Sequence, residues 1–258
     1  MPHAMSTSSR RAAFRPQDVP DRPPRLNPFN PTIRKSRHMT THRLLPLAAC
    51  SLLLALVLPA SAATVTVVVN GADGQPAPNV VVQLTLAHAP ATKPPATPYL
   101  IAQRDIHFVP YLTAIPVGAT VRFSNQDPYD HHLRSEPGGP FGTIAPAKEF
   151  EMRLAAASGD KVASSELKFD KAGVIVLGCH LHSSMRGHLF VSETPFVAVT
   201  DANGRAVIPD VPDGAADLRT WSPEQLVDQP ATPRQVSGVV VFETTLNFTP
   251  PKPRRRRS

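Results

Sequence analysis

No stretch of this 258-residue chain holds a helical period over three turns. Short runs rich in Val, Ile, Thr and Phe stand between turn signals instead. They are TVTVVV (64–69), NVVVQLTL (79–86), TVRFSN (120–125), GVIVLG (173–178), HLFVS (188–192) and GVVVFETTLNF (238–248), and NGADGQP follows the first. Strands of that length and spacing predict an all-β protein built from sandwiches or barrels. The 196 residues from Ala63 onward are enough for one large core or two small ones.

The ends of the chain differ in kind from its body. Residues 39–62 read MTTHRLLPLAACSLLLALVLPASA. Arg43 gives a basic flank, Leu44 to Leu58 an apolar run, and Ala60-Ser61-Ala62 a small-residue cleavage site. This is the pattern of a secretory signal peptide, too short for a membrane span. It predicts export to the periplasm and no stable membrane insertion after cleavage. Residues 1–38, rich in Pro and Arg, are expected to be a disordered or non-translated extension, with Met39 as the start. All of the chain's excess of basic over acidic residues lies in residues 1–62 and in the tail 250–258. Residues 63–250 carry 13 basic against 18 acidic groups, so the charge gives no argument for nucleic-acid binding.

Cleavage would remove Cys50 and leave Cys179 without an intramolecular disulfide partner. A lone thiol in an oxidising compartment tends to oxidise unless it is buried or bound. Cys179, His182 and Met185 form C-x2-H-x2-M in what reads as a loop between two strands. Such a loop can aim ligands three apart at one point. A thiolate, two histidines and a weak thioether suit copper, whereas zinc favours four strong ligands. The missing histidine is His131 or His132, expected in the loop after TVRFSN. His180 and His188 are expected to be solvent-facing or structural rather than ligands.

Several motifs in one order carry a family resemblance between about Ala102 and Phe196. They are F-x-P at Phe108 to Pro110, V-x-F-x-N-Q-D-x-x-x-H-H at Val121 to His132, A-K-x-F-E at Ala147 to Glu151, F-D-K-A-G-V at Phe169 to Val174, and C-x2-H-x2-M-R-G at Cys179 to Gly187. The set resembles the cupredoxins, or blue type 1 copper proteins, of the amicyanin and plastocyanin-like kind. It is closest to the periplasmic plastocyanin-like "methylamine utilization" proteins. The resemblance implies a Greek-key β-sandwich holding one type 1 copper. It also implies that the first ligand lies six residues beyond the strand-ending Asn125, which selects His131 with His132 as the alternative. Cys179, His182 and Met185 complete the implied set, and the edge of His182 becomes the electron port, with Tyr129, Phe141 and Leu181 as candidate docking surface. The copper loop has no proline between Cys179 and Met185, and His132 stands where many cupredoxins have Asn.

Two functions fit: an exported one-electron carrier serving redox proteins of the periplasm, or a copper-binding or adhesive module without redox relay. No enzymatic role is expected. Only one His-x-His pair is present, His180 with His182, and no Ser-His-Asp order, phosphate loop or carboxylate pair stands out.

The flanks resemble a second sandwich, of the carboxypeptidase-regulatory kind, in VTVVVNGADGQPAPNVVVQLTL (65–86) and VTDANGRAVIPDVPDGAADLRTW (199–221). Residues 63–88 would open this accessory sandwich and 197–249 complete it. Residues 89–98 would be a linker and 99–196 the copper domain. Two arrangements remain open: a copper domain inserted into the second sandwich, or two consecutive small domains. Pairing of 64–86 with 197–248 distinguishes the first.

Overall fold

The run AATVTVVVN alternates valines with a period of two, and in a strand that period sends every second side chain to one face. In a computed structural model, which describes residues 62–88, 93–139 and 142–251, this run is strand β1 (Ala62–Asn70), with Val65, Val67 and Val69 fully buried. All 16 strands of the described residues build sheets, and no α-helix forms among them. The protein is all-β. The extension 1–38, almost all of the signal segment and most of the basic tail lie outside the described residues, as does Phe141.

Strand β1 sits between β13 (Arg205–Pro212), antiparallel, and β16 (Val240–Thr245), parallel. Strand β2 (Val81–Leu86) lies between β12 (Val197–Val199) and β14 (Gly214–Trp221), with β15 (Thr232–Val236) outside β14. These three- and four-stranded sheets share a core that includes Val67, Leu84, Ile208 and Leu218. The first two strands therefore take their partners from residues 197–245. The chain leaves this assembly after β2 and re-enters it at β12.

Between those points it builds a second pair of sheets. One has the order β5-β11-β10-β7-β8, from Leu112–Pro116, Arg186–Ser192, Gly173–Cys179, His131–Glu136 and Glu151–Leu154. The other has the order β4-β3-β6-β9, from His107–Val109, Tyr99–Arg104, Thr120–Asn125 and Ala163–Lys168. Their shared core includes Ile101, Phe123, Leu133, Phe169, Ile175 and Leu189. Close approach inside it requires glycine at Gly187, where a Cβ would stand 2.8 Å from that of Phe108.

Several strands start or end away from the apolar runs. The run 79–86 becomes a strand only at Val81, because Asn79 takes a left-handed φ of 57° and the Val80 amide donates to Thr200 Oγ1 at 2.9 Å. The two sandwiches touch along β11 and the segment after it. Ser192 Oγ donates to Gln83 Oε1 (3.1 Å), Thr194 Oγ1 donates to the Leu84 carbonyl (2.7 Å), and the Trp221 ring lies 5.3 Å from that of Phe190.

Candidate metal centre

Asn125 ends β6 with its side chain fully buried, and an amide there must spend its hydrogen bonds. Its Nδ2 donates to the carbonyls of Tyr129 (2.8 Å), Ala155 (2.9 Å) and Leu154 (3.2 Å). Its Oδ1 accepts from the Asp127 amide at 2.9 Å. The five-residue loop 126–130 is thereby tied at both ends, and the next residue, His131, opens β7 opposite Leu154.

The sequence pattern places His131 and His132 in a loop; both are strand residues, paired with Leu154 and Arg153 of β8. Strand geometry then separates them, since successive side chains point to opposite faces. His131 faces the core and is fully buried, whereas His132 faces outward, its Nε2 2.7 Å from Glu151 Oε1. Only His131 of the two joins the cysteine. Cys179 is likewise the last residue of β10 rather than a loop residue, and it pairs with Leu133.

Cys179 Sγ lies 3.7 Å from His131 Nδ1 and 3.7 Å from His182 Nδ1, and the two Nδ1 atoms are 3.2 Å apart. The sulfur and His131 are buried, and His182 is half-buried. Met185 closes the turn, its amide donating to the His182 carbonyl at 3.0 Å, and its side chain is buried in the cluster that contains Cys179. His131, Cys179 and His182 thus meet, Met185 is buried in the same core cluster as Cys179, and His132 does not take part.

A residue to which the sequence pattern assigned no role orients this group. Asp127 is buried, and its Oδ2 accepts from His131 Nε2 at 2.8 Å. Its Oδ1 accepts the amide of Asp105 (2.6 Å) and its Oδ2 that of Ile106 (3.1 Å). Both amides belong to the β3–β4 turn, whose residues hold left-handed φ values of 54° and 60°, uncommon for Asp and strained for a β-branched Ile. Burial pushes the Asp127 carboxyl up. The His131 bond and the two amides outweigh it and hold the group below the ordinary carboxylate range. An ionised carboxylate only accepts, so His131 carries its proton on Nε2 and turns the Nδ1 lone pair to the cysteine. The signal available in the sequence was a carboxylate four residues before the buried histidine.

The donor set fits a first-row transition ion. The point equidistant from the three donor atoms lies about 2 Å from each, the length of a metal–nitrogen bond. One thiolate and two imidazoles, with a thioether in the same core cluster, favour copper over zinc. The Tyr129 ring stands 5.5 Å from that of His131 and 5.4 Å from that of His182, and both Tyr129 and Leu181 are exposed beside the site.

No family model and no curated protein sequence matches this chain. Solved structures similar to it include a copper-containing nitrite reductase from Thermus scotoductus SA-01, 24% identical with a TM-score of 0.32, over 43% of this chain and 26% of that one. The chain therefore spans about a quarter of that reductase. A purple cupredoxin from Nitrosopumilus maritimus is 22% identical with a TM-score of 0.30, over 36% of this chain and 99% of its own. The Cu(I) form of an amicyanin variant is 18% identical with a TM-score of 0.30, over 43% and 99%. These are likenesses of fold alone, over less than half of the chain.

Proposed function

We propose that this protein is an exported single-copper carrier of one electron, of the cupredoxin kind, with His131, Cys179 and His182 as copper ligands and Met185 as a weak fourth donor. The observation that carries the reading is the triangle of one thiol sulfur and two imidazole Nδ1 atoms supplied by residues 131, 179 and 182, with the sulfur and His131 buried. Copper bound there would supply a one-electron couple.

The chain's own residues do the rest. Asp127 fixes the tautomer of His131 and aims its lone pair. Asn125 holds the loop that carries Asp127 and leads into His131, and the core around Cys179 excludes water from the sulfur. A preformed donor set has little to rearrange between two oxidation states. His182, half-buried between exposed Tyr129 and Leu181, is the route to a partner, and that face is where redox proteins of the periplasm would dock. The signal-peptide pattern of residues 39–62 supports the compartment, and the acidic body gives nucleic acid no footing. The accessory sandwich, formed from 62–86 and 197–245, would carry the copper domain as an insertion.

The test is the visible spectrum of the chain after addition of Cu(II), beside that of Cys179→Ser. An intense thiolate-to-copper band in the wild type, absent from the variant, is the expected result. A folded wild type that stays colourless would remove the electron carrier and favour a copper-binding module without redox relay.

A further inference from the structure

The alternation that sends His131 and Cys179 into the core sends their neighbours the opposite way. His132 and His180 emerge on the outer face of the same sheet, joined by a backbone hydrogen bond from the His180 amide to the His132 carbonyl at 2.9 Å. Their rings lie 4.8 Å apart. Glu151, on neighbouring β8, pairs with Arg134 and so stands diagonal to His132 on that face. Its Oε1 is 2.7 Å from His132 Nε2 and 3.3 Å from His180 Nε2.

We propose that His132, Glu151 and His180 form a second, solvent-open site for a divalent first-row transition cation, back to back with the buried triangle. One ligand atom from each of the three residues lies within 4.8 Å of the others, a set of donors within reach of a single ion. Two imidazoles and a carboxylate are a donor set that such ions take, with positions left for water. The side chains of His132, Glu151 and His180 are 33%, 56% and 37% exposed, so an ion could enter and exchange.

The surrounding charges leave room for a cation. Arg153 is taken by Asp130, at 2.7 and 3.1 Å, and Arg134 by Glu136, at 2.7 and 3.0 Å. Arg186 also lies on Glu136, at 3.1 Å. Without an ion, both imidazole Nε2 atoms face Glu151 Oε1, at 2.7 and 3.3 Å. With one, each Nε2 would give its lone pair to the metal and the ring proton would sit on Nδ1. At His180 this displaces a long contact from Arg134 Nη1, 3.4 Å from Nδ1.

The test is calorimetric titration of Zn2+ into the full chain carrying Cys179→Ser, which removes the sulfur of the buried triangle. One equivalent should bind, and Glu151→Gln or His180→Ala in the same background should weaken it by roughly tenfold or more. A cooperatively melting Cys179→Ser chain that binds no Zn2+, or one whose binding neither substitution alters, overturns the site. Should Cys179→Ser fail to fold, the wild type supplies the measurement: two equivalents falling to one in His180→Ala support the site, and equal stoichiometry overturns it. Because the first titration is made without the thiolate, absence of a blue band in the wild type would leave its outcome unaffected.

Discussion

Adjacent histidines in this chain have opposite fates, and the cause is the two-residue period of a strand. His131 is enclosed and bonded to a carboxylate, whereas His132 shares the surface with Glu151 and His180. Asp127 is the residue whose loss should show this most directly. Asp127→Ala leaves His131 Nε2 without its acceptor and frees the amides of Asp105 and Ile106. Copper affinity, measured by competition with a chelator, should fall by roughly 10–100-fold, as when other carboxylates behind a histidine ligand are removed. The thiolate band should persist but shift, because Cys179 and His182 remain. The C-x2-H-x2-M spacing made Cys179 and His182, two of the three groups that meet, stand out in the sequence. Asp127 was not readable as an orienting group, because its role depends on a strand paired with β8 and on a turn more than twenty residues upstream.

The strands divide by how visible they are. Strand β6 (TVRFSN) shows its face plainly: Val121, Phe123 and Asn125 are buried, and Arg122 is exposed beside Glu166. Phe123→Ala should cost about 3–5 kcal/mol in urea unfolding, as a fully buried aromatic packed 5.5 Å from the Phe150 ring. Arg122→Ala, which breaks an ion pair whose partners are about half exposed, should cost under about 1 kcal/mol. Strands such as β9 (ASSELK) and β7 (HHLRSE) are hard to find by pattern. β9 is an edge strand whose alternation is carried by half-buried Ala, Ser and Leu, and β7 contributes His131 and Leu133 to the core amid polar neighbours. What makes them strands is the ladder beside them, a long-range contact that no short window contains.

The two sandwiches meet around His188, and this contact should give the molecule a pH response. His188 is buried on β11, its Nε2 3.1 Å from Tyr111 Oη and its ring 6.3 Å from Trp221 of the other sandwich. Burial pushes its pKa down from 6.5 to about 4, and Arg186 adds a smaller push the same way. Tyr111 Oη in turn donates to Glu224 Oε1 at 3.4 Å. The folded pKa lies below the unfolded one, so the unfolded chain binds the proton first as pH falls. The stability this group supports is complete above about pH 6.5 and is lost on the way down to about 4, up to about 3 kcal/mol. Melting temperatures recorded between pH 7 and pH 4 should decline more steeply for the wild type than for His188→Gln.

Local pattern alone was sufficient for the all-β class, for the buried faces of the valine-rich strands and for the C-x2-H-x2-M spacing from Cys179 to Met185, because a period of two and a spacing of three are properties of a few consecutive residues. It could not decide between His131 and His132, nor join β1 and β2 to strands more than a hundred residues away. Those outcomes rest on register. The pairing of Cys179 with Leu133 sets which histidine faces the sulfur, and the pairing of Val65 with both Ile208 and Val240 sets where β1 belongs. A shift of one residue would turn every side chain of a strand to its other face, so these choices are made only when the separated strands pack and bury one face together.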